Sequence, residues 1–238
     1  MRHTYGLIIP ALNEAETLGS LLRQIPGMMF AQIVVVDNGS RDSTAEVAAA
    51  DGAEVVYEPQ RGYGQACASG IKKLQPSITA VAFMDADLSD NPEDLKLMVR
   101  CFEEDKWDMV LGSRVLGSAE PGSLTPMQRF GNWLSTRLIA LVWQVKFTDL
   151  GPMRILRRDS LDRLSLRDRS FGWNVEMQAR AAQLGFRVCE LPVDYRRRLH
   201  GRSKISGTIA GSLRAGIKIL WTILRCCLTP LPYSPSDS

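Results

Sequence analysis

Two carboxylates one residue apart, Asp85 and Asp87 of Asp85-Ala86-Asp87, follow directly on the apolar run Val81-Ala82-Phe83-Met84. A strand repeats every two residues, so both acids face the same way if extended geometry persists past Met84. Neighbouring carboxylates repel unless a cation lies between them, and hard oxygen ligands suit Mg2+ or Mn2+. A divalent ion held there would meet a diphosphate and neutralise charge building on a leaving group. The plainer reading of the same residues is a capped turn ahead of a helix starting near Asn91-Pro92. Cations lie downstream: Arg114, Arg129, Arg154, Arg198 and Lys204 all fall in or beside loops. Arginine offers phosphate a bidentate fork and lysine a point charge, whereas a run such as Arg196-Arg197-Arg198 equally suits a solvated face.

Elements that could position these groups are legible from periodicity. Leu7-Ile8-Ile9, Ile33 to Val36, Val55-Val56-Tyr57, Ala80 to Met84 and Met109-Val110-Leu111 read as five strands, several apolar enough to be covered on both faces. Helical spacing separates them, as in Leu18, Leu21, Leu22 and Ile25 after a candidate cap at Asn13, so the pattern is βαβ and the sheet parallel. Each strand of this half ends in polar residues: Asn13 and Glu14, then Asp37, Gly39 and Ser40, then Gln60-Arg61-Gly62, then Asp85 and Asp87. Ligands of open parallel sheets bind outside the carboxyl ends of the strands. Any one cluster is an ordinary turn; four on one edge point to a nucleotide cleft. The second half reads as a Gly/Ser/Pro-rich loop over 113–127, a helix from about Gln128 to Gln144, short strands at Ile155-Leu156 and Val188 to Val193, and a Lys/Arg-bearing amphipathic helix over 207–228.

Composition narrows the classes. The 238 residues are 45% hydrophobic and 23% charged, the balance of a globular chain with a sizeable core. The net charge of +3 hides a net acidic stretch up to residue 110 and a strongly basic remainder, which suits anionic partners. Without interleaved stacking aromatics or a known reader motif, nucleic acid is not among the expected ones. Five cysteines without a CxxC pair argue against a zinc site or disulfide frame and for a reducing, cytoplasmic compartment. Tyr5 to Pro10 is too short for a signal-peptide core, and Ile217 to Leu231 is interrupted by Lys218 and Arg225, so the expected chain is soluble or peripheral. Gly62-Tyr63-Gly64 has Cys67 where a dinucleotide fingerprint needs its third glycine, and no Walker A sequence occurs.

Taken in order, these residues resemble the family 2 glycosyltransferases of GT-A fold, especially the dolichyl- and polyprenyl-phosphate mannose and glucose synthases. Pro10-Ala11-Leu12-Asn13-Glu14 is similar to the opening P-x-x-N-E, and Val35 to Thr44 to V-V-D-D-x-S-x-D-x-T with Asn38 in place of the second Asp. Arg61 to Ala66 approximates N-x-G-x-G-x-A, Met84 to Leu88 matches the metal motif, and Gly112-Ser113-Arg114 the following G-S-R. Asp149 to Arg154 is similar to D-x-x-x-G/P-F-R, and Arg198 to Lys204 to R-x-x-G-x-S-K. The resemblance implies an α/β GT-A domain over 1–206, a mainly parallel Rossmann-like sheet with helices on both faces. An amphipathic helix over 207–229 and a disordered tail over 230–238 would follow.

The same resemblance implies the site. Pro10, Leu12, Glu14, Val35 and Asp37 would hold the base and ribose of a UDP- or GDP-hexose. Asp85, Ala86 and Asp87 would meet its diphosphate and a Mg2+ or Mn2+ ion bound by Asp85 and Asp87, and Arg114, Arg198 and Lys204 would hold phosphates. Arg129 is the candidate for the phosphate of a polyprenyl phosphate acceptor. Ser89 stands where the mannose synthases often carry a metal-binding Gln. The implied reaction is inverting transfer with Asp87 and Arg114 at the reacting end; a hydroxyl acceptor would need a base, for which Glu176 and Asp149 are the available carboxylates. The helices near 133–145 and 208–228 combine Leu, Ile and Trp with Lys and Arg, which fits a peripheral membrane surface or an ordinary core face. A soluble sugar or glycan acceptor, a sugar-nucleotide pyrophosphorylase and a non-catalytic nucleotide-sugar-binding module are the alternatives.

Overall fold

A computed structural model describes residues 3–26, 29–104, 107–198, 209–229 and 231, with side chains of the last helix from residue 216 onward. Lys204, the rest of the segment following Arg198 up to 208, and nearly all of 230–238 lie outside the described residues. Seven strands form one sheet: β1 Tyr5–Ala11, β2 Gln32–Asp37, β3 Glu54–Tyr57, β4 Ala80–Phe83, β5 Met109–Ser113, β6 Arg154–Arg157 and β7 Val188–Pro192. Their order is β3-β2-β1-β4-β6-β5-β7. Every neighbouring pair is parallel except the two that β6 makes, with β4 and with β5. All six other strands therefore run the same way and share one carboxyl edge. Because β6 runs backwards, its start lies on that edge too, with Arg154 paired to Phe83.

Period-two alternation decides which face each residue fills. Leu7, Ile9 and Val35 pack on one side with Leu18, Leu21 and Leu22 of α1 (Ala15–Gln24) and Leu95, Met98 and Phe102 of α4 (Asp94–Glu104). Ile8, Val34 and Val36 pack on the other with Ala66 and Cys67 of α3 (Tyr63–Lys73) and with Trp173 and Met177 of α7 (Trp173–Gln183). Helices α2 (Thr44–Ala50), α5 (Pro126–Trp143), α6 (Arg158–Arg163) and α8 (Ile209–Leu228) complete the chain.

Local signals account for the helix ends. Thr125 and Gln128 form a reciprocal capping box and Pro126 takes the first position of α5, two residues ahead of the start expected from periodicity. Asn13 does not cap α1. It adopts φ 50° and its side-chain oxygen accepts from Arg41 N at 2.7 Å, leaving Glu14 at the cap position. Helix α8 contributes Ile223 and Cys226 to the core beside α7, while Ile217, Leu220, Trp221, Leu224 and Leu228 remain exposed. No helix among the described residues is long and apolar enough to cross a membrane. Cys101 and Cys189 bring their Sγ atoms within 3.5 Å, and no disulfide joins the described cysteines.

Candidate active site on the carboxyl edge

The edge where the parallel strands end collects the charged residues expected there. Strand β4 stops at Phe83, so Asp85-Ala86-Asp87 lies in a turn rather than on a pleat, and the two acids are neighbours through that turn. Leu88 inside it takes φ 58°, a conformation leucine rarely adopts and one that clusters at functional sites. Asp87 has both oxygens engaged: Oδ1 accepts from Ser89 N at 2.9 Å and Oδ2 pairs with Arg198 Nη2 at 2.5 Å. The same guanidinium places Nη1 3.5 Å from Glu14 Oε1, so Arg198 bridges the ends of β1 and β4.

Asp85 behaves differently. The residue is half-buried, and its Oδ1 is buried with no hydrogen-bond partner. Burial and then the Asp87 charge push its carboxyl up to about 7, with Tyr63, Arg198 and Arg114 pulling the other way. The neighbouring Tyr63 hydroxyl is buried beside it. Asp90, on the same turn, is 1% exposed with both oxygens unpartnered. Burial, then Asp85 and Asp87, raise it well above the carboxylate range. Such orphaned oxygens are rare in folded proteins, where buried polar atoms are nearly all paired. Partnerless carboxylates beside one another are what a hard divalent cation would satisfy, so the donor set fits such an ion. Among the described residues no group of three or more His, Cys, Asp or Glu is placed to hold a metal. Asp85 and Asp87 would thus supply a minority of the ligands, with phosphate oxygens and water supplying the rest.

Arg114, at the end of β5, is locked by a two-pronged pair to Asp149: Nε to Oδ2 at 2.7 Å and Nη2 to Oδ1 at 2.8 Å. Its own backbone N also donates to Oδ2 at 2.8 Å, and its guanidinium lies 5.0 Å over the Tyr195 ring. Burial alone would raise Asp149, but the Arg114 hydrogen bonds and charge outweigh it and hold the carboxyl below its usual range. Tyr195 belongs to the strap 193–198 that carries Arg198. The strap is hydrogen-bonded on one side to the acid turn (Arg196 N to Ser89 O, 2.7 Å) and on the other to the 113–125 loop (Tyr195 N to Ser118 O, 2.8 Å).

Arg114 also forms one end of a groove of about 760 Å³ between α5 and the loops after β5. Arg129, Arg137 and Lys146 line it together with Leu124, Trp133 and Phe147, and no described residue lining it is acidic. Arg129 is thus placed in the groove together with Arg114.

Other expected residues fall as follows. Asp37 is buried and accepts from Ser40 N through Oδ1 at 2.8 Å, while Pro10 and Leu12 are half-buried and Ala86 is buried in the acid turn. Val35 is 0% exposed in β2, paired with Ile9, so its side chain packs in the core. Glu176 is likewise 0% exposed, pairs with Arg225 at 2.7 Å, and accepts from the backbone N of Arg167 (2.9 Å) and Asp168 (2.6 Å). That carboxylate ties α7 to α8. Asn38, where the family pattern has Asp, donates to Glu58 O and Gln60 O and accepts from Gly62 N, stitching the end of β2 to the following loop. Gly62 and Gly64 serve packing: a Cβ at either would sit 2.1 Å from Arg169 O or 2.3 Å from Asp168 O.

Four similarities to known proteins accompany this architecture. Residues 7–165 match the family described as Glycosyl transferase family 2. The chain is 39% identical over 221 residues to an uncharacterized glycosyltransferase of Mycobacterium tuberculosis, covering 92% of this chain and 96% of the relative. It is 30% identical over 241 residues to an undecaprenyl-phosphate mannosyltransferase of Micrococcus luteus, covering 93% and 97%. The structure of glucosyl-3-phosphoglycerate synthase from Mycobacterium tuberculosis, solved with Mn2+, UDP and glucosyl-3-phosphoglycerate, superposes with a TM-score of 0.75 at 19% identity, over 96% of this chain and 81% of that one. The sheet and its order are thus those of GT-A glycosyltransferases. With two thirds of its length matched and a relative aligned end to end, the chain belongs to glycosyl transferase family 2 and is a glycosyltransferase.

Proposed function

We propose that this chain transfers a hexose from a UDP- or GDP-sugar to a polyprenyl phosphate, with inversion at the anomeric carbon and with a Mg2+ or Mn2+ ion at Asp85 and Asp87. The observation that carries the acceptor class is the state of the carboxylates. A hydroxyl acceptor needs a base, and the two acids available for that role, Glu176 and Asp149, are 0% and 1% exposed and saturated by Arg225, Arg114 and backbone N–H groups. Asp90 does not line the groove. A phosphate monoester is already anionic at neutral pH and needs no base. The groove running from Arg114 supports the same reading, because it combines Arg129, Arg137 and Lys146 with apolar walls.

In this reading Glu14, Asp37, Pro10 and Leu12 bound the nucleoside, and Arg198 and Lys204 meet the diphosphate. The bound divalent ion supplies electrostatic stabilisation to the departing nucleoside diphosphate. Arg114, held rigid by Asp149 and backed by Tyr195, stands between the donor edge and the acceptor groove, where it needs no reorganisation as charge develops. Arg129 takes the acceptor phosphate. Exposed Phe130, Trp133 and Leu141 on α5 and Trp221 and Leu224 on α8 suit contact with the lipid surface that carries such an acceptor, at the cytoplasmic membrane face.

The test is transfer of label from radioactive UDP- and GDP-hexoses with Mn2+ or Mg2+. Label passing into organic solvent with polyprenyl phosphate supports this assignment. Label found only on a water-soluble sugar, glycan or phosphorylated acid refutes the lipid acceptor, and binding without turnover refutes catalysis.

A further inference from the structure

Within the donor site just assigned, and resting on that assignment, one contact constrains the order of events. Both oxygens of Asp87 are in use, Oδ1 by Ser89 N and Oδ2 by Arg198 at 2.5 Å. Arg198 simultaneously faces Glu14 at 3.5 Å, and the Glu14 and Asp87 carboxylates are 9% and 4% exposed. The pair is therefore screened less than a surface pair, although Arg198 is itself 26% exposed. A divalent cation bound to Asp87 Oδ2 would sit about 2.1 Å from that oxygen. A guanidinium kept at hydrogen-bonding distance from the same atom would lie within a few ångströms of the ion, and the two positive charges would repel. The backbone of the strap that carries Arg198 is hydrogen-bonded to Ser89 and Ser118, so yielding falls to the side chain. Glu14 remains within reach of the displaced guanidinium, and the donor diphosphate is the further anion this site is built to receive.

We propose that Arg198 competes with the divalent cation for Asp87, so that the cation and the nucleotide diphosphate bind cooperatively: the diphosphate draws Arg198 off Asp87 and the cation takes its place. By linkage, each ligand tightens the other by the same factor. Arg198 is in this sense a positioning residue whose contact with Asp87 holds the acid turn to the end of β1 until the donor arrives.

The experiment is titration of the full chain with MnCl2, free Mn2+ being read by electron paramagnetic resonance, alone and with saturating UDP or GDP. For the wild type, the cognate diphosphate tightens Mn2+ binding by roughly 10-fold or more, within the usual range of coupled sites. Arg198→Gln binds Mn2+ alone about 5- to 10-fold more tightly than wild type, and most of the enhancement by the diphosphate disappears, as expected if the coupling is lost. Arg198→Lys, which keeps the charge, stays near wild type. Arg196→Gln, two residues away and without a contact to Asp87, serves as the control for general loss of charge. The proposal is overturned if Arg198→Gln binds Mn2+ no more tightly than wild type, or if Arg196→Gln gains as much. If neither diphosphate affects Mn2+ binding in any of these proteins, the donor-site assignment itself fails; if the diphosphate enhances binding equally in wild type and Arg198→Gln, that assignment stands and the competition falls.

Discussion

Two groups of buried carboxylates meet their surroundings in opposite ways. Beneath α8, Glu176 is closed off by Arg225 and two backbone N–H groups, and Asp168 by Lys218 at 2.8 Å and Ser170 N. On the acid turn after β4, Asp90 is as deeply enclosed and Asp85 partly so, yet three of their oxygens are buried without partners, and Asp87 is held by Arg198 besides a local turn contact. Desolvation costs are similar in kind for both groups, since burying a charge is unfavourable wherever it occurs. The first group offsets that cost within the chain and so acts as architecture. The second leaves it for a ligand to offset, which is the signature of a site for chemistry.

The largest contrast should appear on truncating one member of each group. Asp87→Ala should lower turnover at least about 10²-fold, the order seen when a preorganised electrostatic group is removed, with a cooperative melting transition retained. Glu176→Gln should do the reverse. It leaves Arg225 without its charge partner and should cost about 2–3 kcal/mol of stability in denaturant unfolding, less than a wholly buried pair because Arg225 is partly exposed, with kcat of the folded fraction nearly unchanged. Equal effects of both changes on stability would erase the distinction.

Acid sharpens the comparison further. Burial alone would raise Asp168, but Lys218 and Ser170 outweigh it and hold its carboxyl below the usual range. A group depressed in the folded state stabilises above its unfolded pKa, and that stability is lost as pH falls through the folded value. Melting temperature should therefore drop as pH is lowered from about 5 to 3, and Asp168→Asn should show a shallower drop over the same window. An unchanged slope would remove Asp168 from the stabilising group. The smallest effect is expected at the surface: Trp221→Ser, at a position 54% exposed, should change stability by less than about 0.5 kcal/mol while reducing co-sedimentation with anionic vesicles. Unaltered vesicle binding would leave α8 an ordinary solvated helix.

Most of the first half is legible in the sequence because strands β1, β2, β4 and β5 are uninterrupted apolar runs that only a doubly covered sheet accommodates. Asp85, Asp87, Arg114 and Arg198 could be singled out because motif order survives where geometry is invisible. What the sequence conceals is direction and satisfaction. Nothing in Arg154-Ile155-Leu156-Arg157 says that β6 runs antiparallel, although that reversal brings Asp149 to Arg114. Helix α7 carries Glu176, Gln178 and Arg180, all buried, so its polar pattern disguises a core helix. Glu176 accordingly reads as an available base when its partners, Arg225 and two backbone N–H groups, come from distant or non-side-chain sources. Asp90 escapes notice for the converse reason: among Ser, Asp, Asn and Pro it looks like a turn residue, and only its burial without partners marks it.

In the proposed function, the unpartnered Oδ1 of Asp85 would help hold a divalent cation that stabilises the donor diphosphate. Asp85→Asn keeps the shape and removes the charge, so calorimetric titration of UDP and GDP into wild type and this variant, with Mn2+ and with chelator, addresses it directly. The account predicts tight nucleotide binding only in wild type with Mn2+, and a variant at least as thermally stable as wild type because a desolvated charge beside Asp87 is gone. Equally tight binding by the chelated wild type, or by Asp85→Asn with Mn2+, would contradict it.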